Sequence, residues 1–175
     1  MFHALAASMN FRVYAQDAFA HSPWPETPTY LAIDDAFAEW YEEQTNVTLD
    51  RSYVLPIQRA LQGHPESGKL WEEHINRILL GPRLNFCTTT HDRTIYTGLY
   101  DVERVLLLRQ VDDFSIACRY EETAKAIYDV IGKALQLPNE SSPPFKYLGL
   151  QTDFNGIDVE QSSTHIGLSC STYIP

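Results

Sequence analysis

Residues 94–118 constrain the fold of this chain more than any other segment. Three β-prone runs follow one another there, separated by only three residues each time: 94–100, 104–110 and 114–118. Parallel neighbours need a crossover of a dozen or more residues, so such short connections predict antiparallel strands joined by tight turns. The segment therefore predicts the centre of an antiparallel sheet.

The remaining segments show the periodicities of helices and further strands. Apolar residues form one stripe of a helix at about 67–80, which Gly81-Pro82 ends: Leu70, Trp71, Ile75, Ile78 and Leu79. We expect Leu70, Trp71, Ile75 and Ile78 to be buried, and Glu72, Glu73 and Arg77 to be exposed. The other expected elements are a strand at 11–20 ending near Asp17, an extended proline-rich loop at 21–30, helices at 33–44 and 121–136, strands within 145–154 and 165–174, and a turn at Asn155-Gly156. The helix at 121–136 is amphipathic, and its expected inward residues are Ala124, Ile127, Tyr128, Ile131 and Leu135. This order predicts an α+β fold with a mainly antiparallel sheet and helices packed against it.

Length and composition favour an ordinary globular chain. With 175 residues, 44% hydrophobic and 21% charged, the sequence predicts one domain or a fragment of a larger one. It contains no apolar run of membrane-spanning length, and its first residues lack the pattern of a signal peptide. Three scattered cysteines predict a reducing compartment and buried free thiols. We therefore expect an intracellular protein, cytoplasmic with the nucleus as second choice, that does not contact a membrane.

The charge is unevenly distributed along the chain. The net charge is −10, which by itself disfavours a protein that wraps a polyphosphate. Residues 26–50 hold seven acids and no Lys or Arg, whereas eleven of the 13 Lys and Arg residues lie between Arg51 and Lys133. The middle of the chain can therefore present a neutral or basic face.

Asp112 and Asp113 are the most informative pair of polar residues. They lie between two apolar β-prone runs, at the expected tip of a hairpin. One interpretation is a solvated polar turn. The other is a site for divalent metal ions, in which a third carboxylate, from Asp17 at the end of the first strand, completes a pair of ions for in-line phosphoryl transfer. Asp17 also has a simpler interpretation, as a residue that caps the following turn.

Three ordered blocks of the sequence resemble a known family. The strings ALQGHPESGKLWEEHI, RQVDDFSIA and FKYLGLQTDFNGIDV are similar to the reverse transcriptase of copia-type retrotransposons, and the resemblance covers residues from about 4 to 175. It implies a polymerase palm-like antiparallel sheet with helices packed on one face. It also implies that residues 1–175 are a partial reverse transcriptase domain of a polyprotein, with the start of the fingers, the thumb and the ribonuclease H region outside the chain.

The same resemblance implies an RNA-directed DNA polymerase and assigns roles to particular residues. Asp17, Asp112 and Asp113 would be catalytic and would hold two magnesium ions. Primer–template and deoxynucleoside triphosphates would be the partners. The expected nucleotide- or template-side residues are Phe19, Arg59, Gln62, Gly63 and Lys69, and the expected primer-side residues are Lys146, Tyr147, Leu148 and Gly149. Gln110 stands where the family usually has an aromatic residue.

The segment around Asp17, which precedes these three blocks, departs from the family pattern. The family places its first catalytic aspartate four residues before an Ala-aromatic pair, but Ala18-Phe19 follows Asp17 directly. If Ala18-Phe19 is kept in register, Tyr14 fills the catalytic position. If the continuous upstream match is kept, Asp17 fills it, three residues are missing, and Phe19 is displaced. We prefer the second alignment. The defect predicts a chain that is inactive by itself, and the alternative function is a decayed or domesticated remnant that acts as an interaction module.

Overall fold

The structure, a computed structural model, describes residues 1–18, 30–56, 65–136 and 145–170. They belong to two compact units, one formed by residues 1–20 and 75–175 and the other by residues 21–74. The elements are α1 (Phe2–Ser8), β1 (Arg12–Ala18), β2 (Tyr30–Ala32), α2 (Asp35–Thr45), β3 (Val54–Pro56), α3 (Ser67–Leu79), β4 (Cys87–Thr88), β5 (Ile95–Tyr100), β6 (Glu103–Gln110), β7 (Asp113–Cys118), α4 (Glu121–Leu135), β8 (Phe145–Leu150), β9 (Asp153–Phe154), β10 (Ile157–Gln161) and β11 (Ile166–Ser169). This mixture confirms the predicted α+β class. The proline-rich segment 21–29 lies outside the described residues.

A six-stranded antiparallel sheet dominates the first unit. Its strand order is β4-β5-β6-β7-β1-β8, so the three runs within residues 94–118 form the predicted meander at its centre. Two-residue turns join these strands, Asp101-Val102 after β5 and Val111-Asp112 after β6. The strands β1 and β8 come from distant parts of the chain and complete the sheet beside β7.

Helix α4 covers one face of this sheet. The helix buries the predicted stripe of Ala124, Ile127, Tyr128, Ile131 and Leu135. Alternate residues of β7 share the face, and the rings of Phe114 and Tyr128 each meet Phe145 of β8 edge-on, at centroid distances of 5.4 and 5.8 Å. Burial of these apolar side chains holds α4 on the sheet, because each buried Ile, Leu or Phe contributes about 1.5–3 kcal/mol of transfer free energy.

Helix α1 lies on the opposite face, which corrects the expectation that the helices pack on one face. Phe2 and Ala6 of α1 are buried in a cluster with Val13, Leu106 and Ala117 of the sheet. A helix of seven residues with two buried positions is too short to produce a recognisable period in the sequence. Its position follows from the apolar face that the sheet presents.

Helix α3 begins and ends close to the predicted boundaries, and its buried stripe is shifted. Trp71, Ile75 and Leu79 are buried, whereas Leu70 and Ile78 are only half-buried, contrary to the expectation. Residues spaced by four lie one above the other on a helix, so the interior face follows the 71–75–79 row. The predicted exposure of Glu72, Glu73 and Arg77 is confirmed. In the first unit, Asn76 accepts a hydrogen bond of 2.5 Å from the hydroxyl of Tyr96 in β5.

The second unit contains α2 and a two-stranded sheet. The carboxylate of Asp34 caps α2 by accepting a 2.7 Å hydrogen bond from the backbone N–H of Phe37. An ion pair between Arg51 and Asp35, at 2.5 Å, ties the segment before β3 to the start of this helix. Strands β2 and β3 pair with each other, with exposed residues along both.

The exposure of the cysteines differs from the expectation, and the turn expected near the end of the chain is present. All three cysteines are free, but only Cys118 is buried, so the expectation of buried thiols is wrong for Cys87 and Cys170. Strands β9 and β10 are joined by the predicted Asn155-Gly156 turn, in which both residues have positive φ, as a two-residue turn of type I′ requires. Among the helices of the described ranges, none combines the length and apolar character needed to cross a lipid bilayer.

Candidate metal centre

The turn between β6 and β7 carries the two adjacent aspartates. Gln110 and Asp113 are directly paired, so only Val111 and Asp112 lie between the strands. Asp112 and Asp113 are both half-buried. Val111 has a φ of 56°, a left-handed conformation that is an outlier for a β-branched residue. The sequence therefore folds as a tight hairpin here, at the cost of backbone strain beside both carboxylates.

Strand β1 brings Asp17 to the same end of the sheet. The register of β1 with β7 makes Asp17 the Cα partner of Asp113. Directly paired residues of an antiparallel sheet have Cα atoms about 4.5–5.5 Å apart. The side chain of Asp17 is not among those that the structure describes. The backbone nevertheless brings the three predicted catalytic residues to the same end of the sheet.

Tyr14, the alternative first catalytic residue, lies elsewhere. Its Cα partner in β7 is Ile116, three residues from Asp113. Its side chain is only 3% exposed, and burial raises the pKa of its hydroxyl to about 12. Tyr128 donates a 2.8 Å hydrogen bond to the backbone carbonyl of Tyr14, which ties this part of β1 to α4. Tyr14 therefore belongs to the interior beneath α4.

Strand β8 brings the predicted primer-side residues next to β1. Lys146 is the Cα partner of Asp17, and Gly149 is the partner of Ala15. The register shifts between these pairs, at Leu148, which is exposed and has no partner in β1. Gly149 has a φ of +83°, which an L side chain rarely adopts. Of the four residues, Lys146 is the one paired with a predicted catalytic position.

Tyr147 points to the other face of the sheet. Its ring packs edge-on against Tyr128 at 5.0 Å, and its hydroxyl donates a 3.2 Å hydrogen bond to Glu121. Burial and the neighbouring carboxylate raise the pKa of Tyr147 above its usual value. With Phe145 and the facing residues of α4, Tyr147 lines a groove of about 250 Å³. These contacts make Tyr147 part of the packing between β8 and α4.

Most of the predicted nucleotide- and template-side residues lie outside the residues that the structure describes. Phe19, Arg59, Gln62 and Gly63 lie in segments 19–29 and 57–64, which the structure does not describe. Lys69 is in the first turn of α3, in the unit formed by residues 21–74. Its ammonium group is 3.8 Å from the carboxylate of Glu73, one turn further along the helix, and both side chains are mainly exposed. This pair is a typical surface interaction of the (i, i+4) kind.

A buried polar network next to this centre was not predicted from the sequence. The hydroxyl of Ser115 accepts a 2.8 Å hydrogen bond from the side chain of Gln151, whose carbonyl oxygen is 3.0 Å from Nε2 of His3. Ser115 and Gln151 are almost completely buried. Ser115 is two residues from Asp113 and therefore on the same face of β7. A polar residue within the apolar run 114–118 was the only signal of this network.

The donor set at this end of the sheet suits a hard cation, because carboxylate oxygens are the ligands that magnesium and manganese prefer. Within the side chains that the structure describes, no three His, Cys, Asp or Glu residues converge on one possible metal position. A centre of three carboxylates here therefore needs Asp17. The two described aspartates would supply part of such a site.

Comparison with known proteins adds no assignment. No family model, no curated protein and no solved structure matches this chain.

Proposed function

We propose that this chain carries the palm core of an RNA-directed DNA polymerase, similar to the reverse transcriptase of copia-type retrotransposons. In this proposal the end of the sheet formed by β6, β7 and β1 is a centre for two magnesium ions. The substrates are a primer–template and deoxynucleoside triphosphates. The proposal combines the resemblance of the three sequence blocks with the geometry of the described strands.

One observation carries the proposal. Asp17 and Asp113 are separated by 95 residues in the chain, yet they are direct partners in the sheet. Asp112 is in the adjoining turn. A solvated polar turn needs no acidic residue on the neighbouring strand, and like charges placed directly opposite each other are unfavourable in a sheet. A bound cation gives this arrangement a physical reason.

The chemistry assigned to the residues follows from their positions. When bound, two divalent ions activate an attacking hydroxyl and stabilise the charge that develops on the leaving pyrophosphate. Asp17, Asp112 and Asp113 would hold those ions through carboxylate oxygens. The tight hairpin fixes the spacing of Asp112 and Asp113, and the pairing of β1 with β7 fixes the position of the Asp17 backbone. Much of the rate in phosphoryl transfer comes from such positioning.

A second function is favoured by one feature of the sequence. The Ala-aromatic pair follows Asp17 directly, so Phe19 is displaced from the position that would screen the sugar of the incoming nucleotide. A chain with this defect retains metal ligands but does not hold the nucleotide in line. We therefore propose that the isolated chain does not extend a primer, and that the alternative function is that of a non-catalytic interaction module.

The test has two measurements on the full chain. Calorimetric titration with Mn²⁺ should show binding to the wild type that is lost in the D112N/D113N double mutant. The control variant Asp129→Asn, which changes an exposed residue of α4, should keep this binding. Extension of a labelled primer on polyadenylate, with Mg²⁺ or Mn²⁺ at low salt, should give no product. Absence of aspartate-dependent Mn²⁺ binding contradicts the metal centre. Extension product that disappears in the double mutant contradicts the proposed inactivity and restores the catalytic function.

A further inference from the structure

The segment 30–56 exposes apolar side chains that its own elements do not cover. Within this segment, which includes β2, α2 and β3, Ala38 is the only buried residue. Seven of the 17 large hydrophobic side chains that are exposed in the described part of the chain lie in these 27 residues. A helix gains most of its stability from packing of an apolar face, and an isolated two-stranded sheet is marginal in water. Apolar surface concentrated in this way is typical of an interaction site.

Aromatic rings form one face of α2. Phe37 is three residues before Trp40 and four before Tyr41, the spacings that bring side chains together on a helix. The ring centroid of Phe37 is 5.7 Å from that of Trp40 and 6.2 Å from that of Tyr41. Trp40 is exposed, and the other two residues are half-buried. The three rings therefore form an accessible cluster in which each side chain is supported by a neighbour.

Two carboxylates lie beside this cluster. Glu43 is three residues after Trp40 and four after Glu39, and both glutamates are exposed. Among the described residues, neither glutamate has a hydrogen-bond or ion-pair partner. The other acids of the helix and its cap are engaged as a cap, in an ion pair or with a backbone N–H: Asp34, Asp35 and Glu42. Like charges one turn apart on a helix repel each other, so a cation bound between Glu39 and Glu43 would relieve an unfavourable interaction.

The charge of the segment selects the class of partner. Residues 30–56 contain six acids and one base, a net charge of −5, and the whole chain carries −10. The single base, Arg51, is paired with Asp35. Such a surface repels nucleic acid and a second copy of this acidic chain, whereas it attracts a basic protein segment. The aromatic cluster adds to this preference, because cations are attracted to the face of an aromatic ring, most strongly to that of tryptophan.

We propose that this face of α2, formed by the aromatic cluster with Glu39 and Glu43, docks an arginine-containing basic segment of a partner protein. The guanidinium group stacks on Trp40 and donates to the carboxylate of Glu43 or Glu39. Arginine suits the site better than lysine, because its planar group stacks on aromatic rings and matches a carboxylate with two N–H donors. The inference uses none of the proposed metal ligands. It gives a class of partner to the interaction module named above as the alternative function.

The first experiment measures binding of a labelled peptide of alternating arginine and alanine residues to the full chain by fluorescence anisotropy. Trp40→Ala should weaken binding about two- to fivefold, as expected for a cation–π contact at an exposed site, and Trp40→Phe should lie between Trp40→Ala and the wild type. The control Tyr120→Ala removes an exposed aromatic side chain just before α4 and should keep the wild-type affinity. Absence of peptide binding, or equal affinities of Trp40→Ala and the wild type, overturns the inference.

The second experiment separates the carboxylates beside Trp40 from the net charge of the chain. The E39Q/E43Q double mutant should bind the same peptide about two- to fivefold more weakly at physiological salt, with a smaller difference at high salt. The matched control D129N/E160Q removes two exposed acids outside the segment 30–56 and should keep the wild-type affinity. A peptide with lysine in place of arginine should bind more weakly than the arginine peptide. Equal weakening in the two double mutants, or equal binding of the two peptides, overturns the inference.

Sedimentation velocity of the full chain tests a second copy as the occupant of this face. We expect a monomer, in both the wild type and Trp40→Ala. A dimer that dissociates in Trp40→Ala would assign the face to a second copy and overturn the inference. Peptide binding and Mn²⁺ binding are independent measurements, so loss of the metal centre leaves this docking surface standing, and absence of peptide binding leaves the metal centre standing.

Discussion

Val111 illustrates how a single residue links the fold to the candidate site. It is one of two residues that connect β6 to β7, it has a φ of 56°, and it is 66% exposed. Positive φ at the first central position is the pattern of a type II′ turn, for which glycine is the preferred residue. The strain of a valine in this conformation is of order 1–3 kcal/mol. The chain tolerates it directly beside Asp112 and Asp113, which agrees with a functional role of the turn.

Replacement of Val111 by glycine should therefore stabilise the protein. We expect a gain of about 1 kcal/mol in the free energy of unfolding, because relief of strain exceeds the added entropy of the unfolded chain. The measurement is the midpoint of urea unfolding. Val102→Gly is the matched control, since Val102 is an exposed valine of the two-residue turn after β5 and its φ is not positive. A gain in the control equal to that in Val111→Gly would mean that strain at Val111 is not the cause.

At the scale of elements, helices α3 and α4 follow from their apolar stripes. Each helix begins and ends within about a residue or two of the boundaries that the sequence predicts, as is usual for helix ends. What the stripe does not determine is which of two adjacent rows is innermost. In α3 the row through Trp71 is buried, and the row through Ile78 is only partly covered.

Trp71 should be a major contributor to the stability of its region. Its side chain is 4% exposed, so Trp71→Ala should cost about 3–5 kcal/mol of unfolding free energy. Trp40→Ala is the matched control: Trp40 lies on α2, is 55% exposed, and should lose less than about 1 kcal/mol. Denaturant unfolding followed by circular dichroism measures both. Equal losses in the two variants would contradict the burial assigned to Trp71.

For the molecule as a whole, net charge opposes the binding of nucleic acid. The value of −10 repels phosphates over a Debye length, although most of the basic residues lie between Arg51 and Lys133. Affinity for a nucleic-acid backbone rests on phosphates neutralised by Lys and Arg. A chain with this charge is therefore poorly suited to hold a primer–template by itself.

Binding of a labelled primer–template should accordingly be weak. We expect a Kd above about 10 µM at physiological salt, in the range of non-specific binders or weaker, by fluorescence anisotropy. The affinity should also rise as salt is lowered, to an extent that depends on how many basic residues face the backbone. A submicromolar Kd at physiological salt would show that the residues between Arg51 and Lys133 form an effective basic face.

Patterns that act over a few residues determined the elements of this protein. The short connections within residues 94–118 required an antiparallel meander, and the stripe of α4 predicted its buried residues one by one. Both are consequences of the backbone geometry of strands and helices, which repeats every two or 3.6 residues. The adjacent position of Asp112 and Asp113 at a hairpin tip is local in the same sense.

Only the tertiary structure decided which distant residues share the candidate site. The pairing of β1 with β7 and β8 makes Asp17 the neighbour of both Asp113 and Lys146, and it removes Tyr14 to the interior beneath α4. Helix α1 owes its position to the second apolar face of the same sheet. The pairing register is set by which faces must be buried, and a shift of one residue would turn every side chain of β1 to the other face. That choice depends on contacts between segments far apart in the chain, so no local pattern carries it.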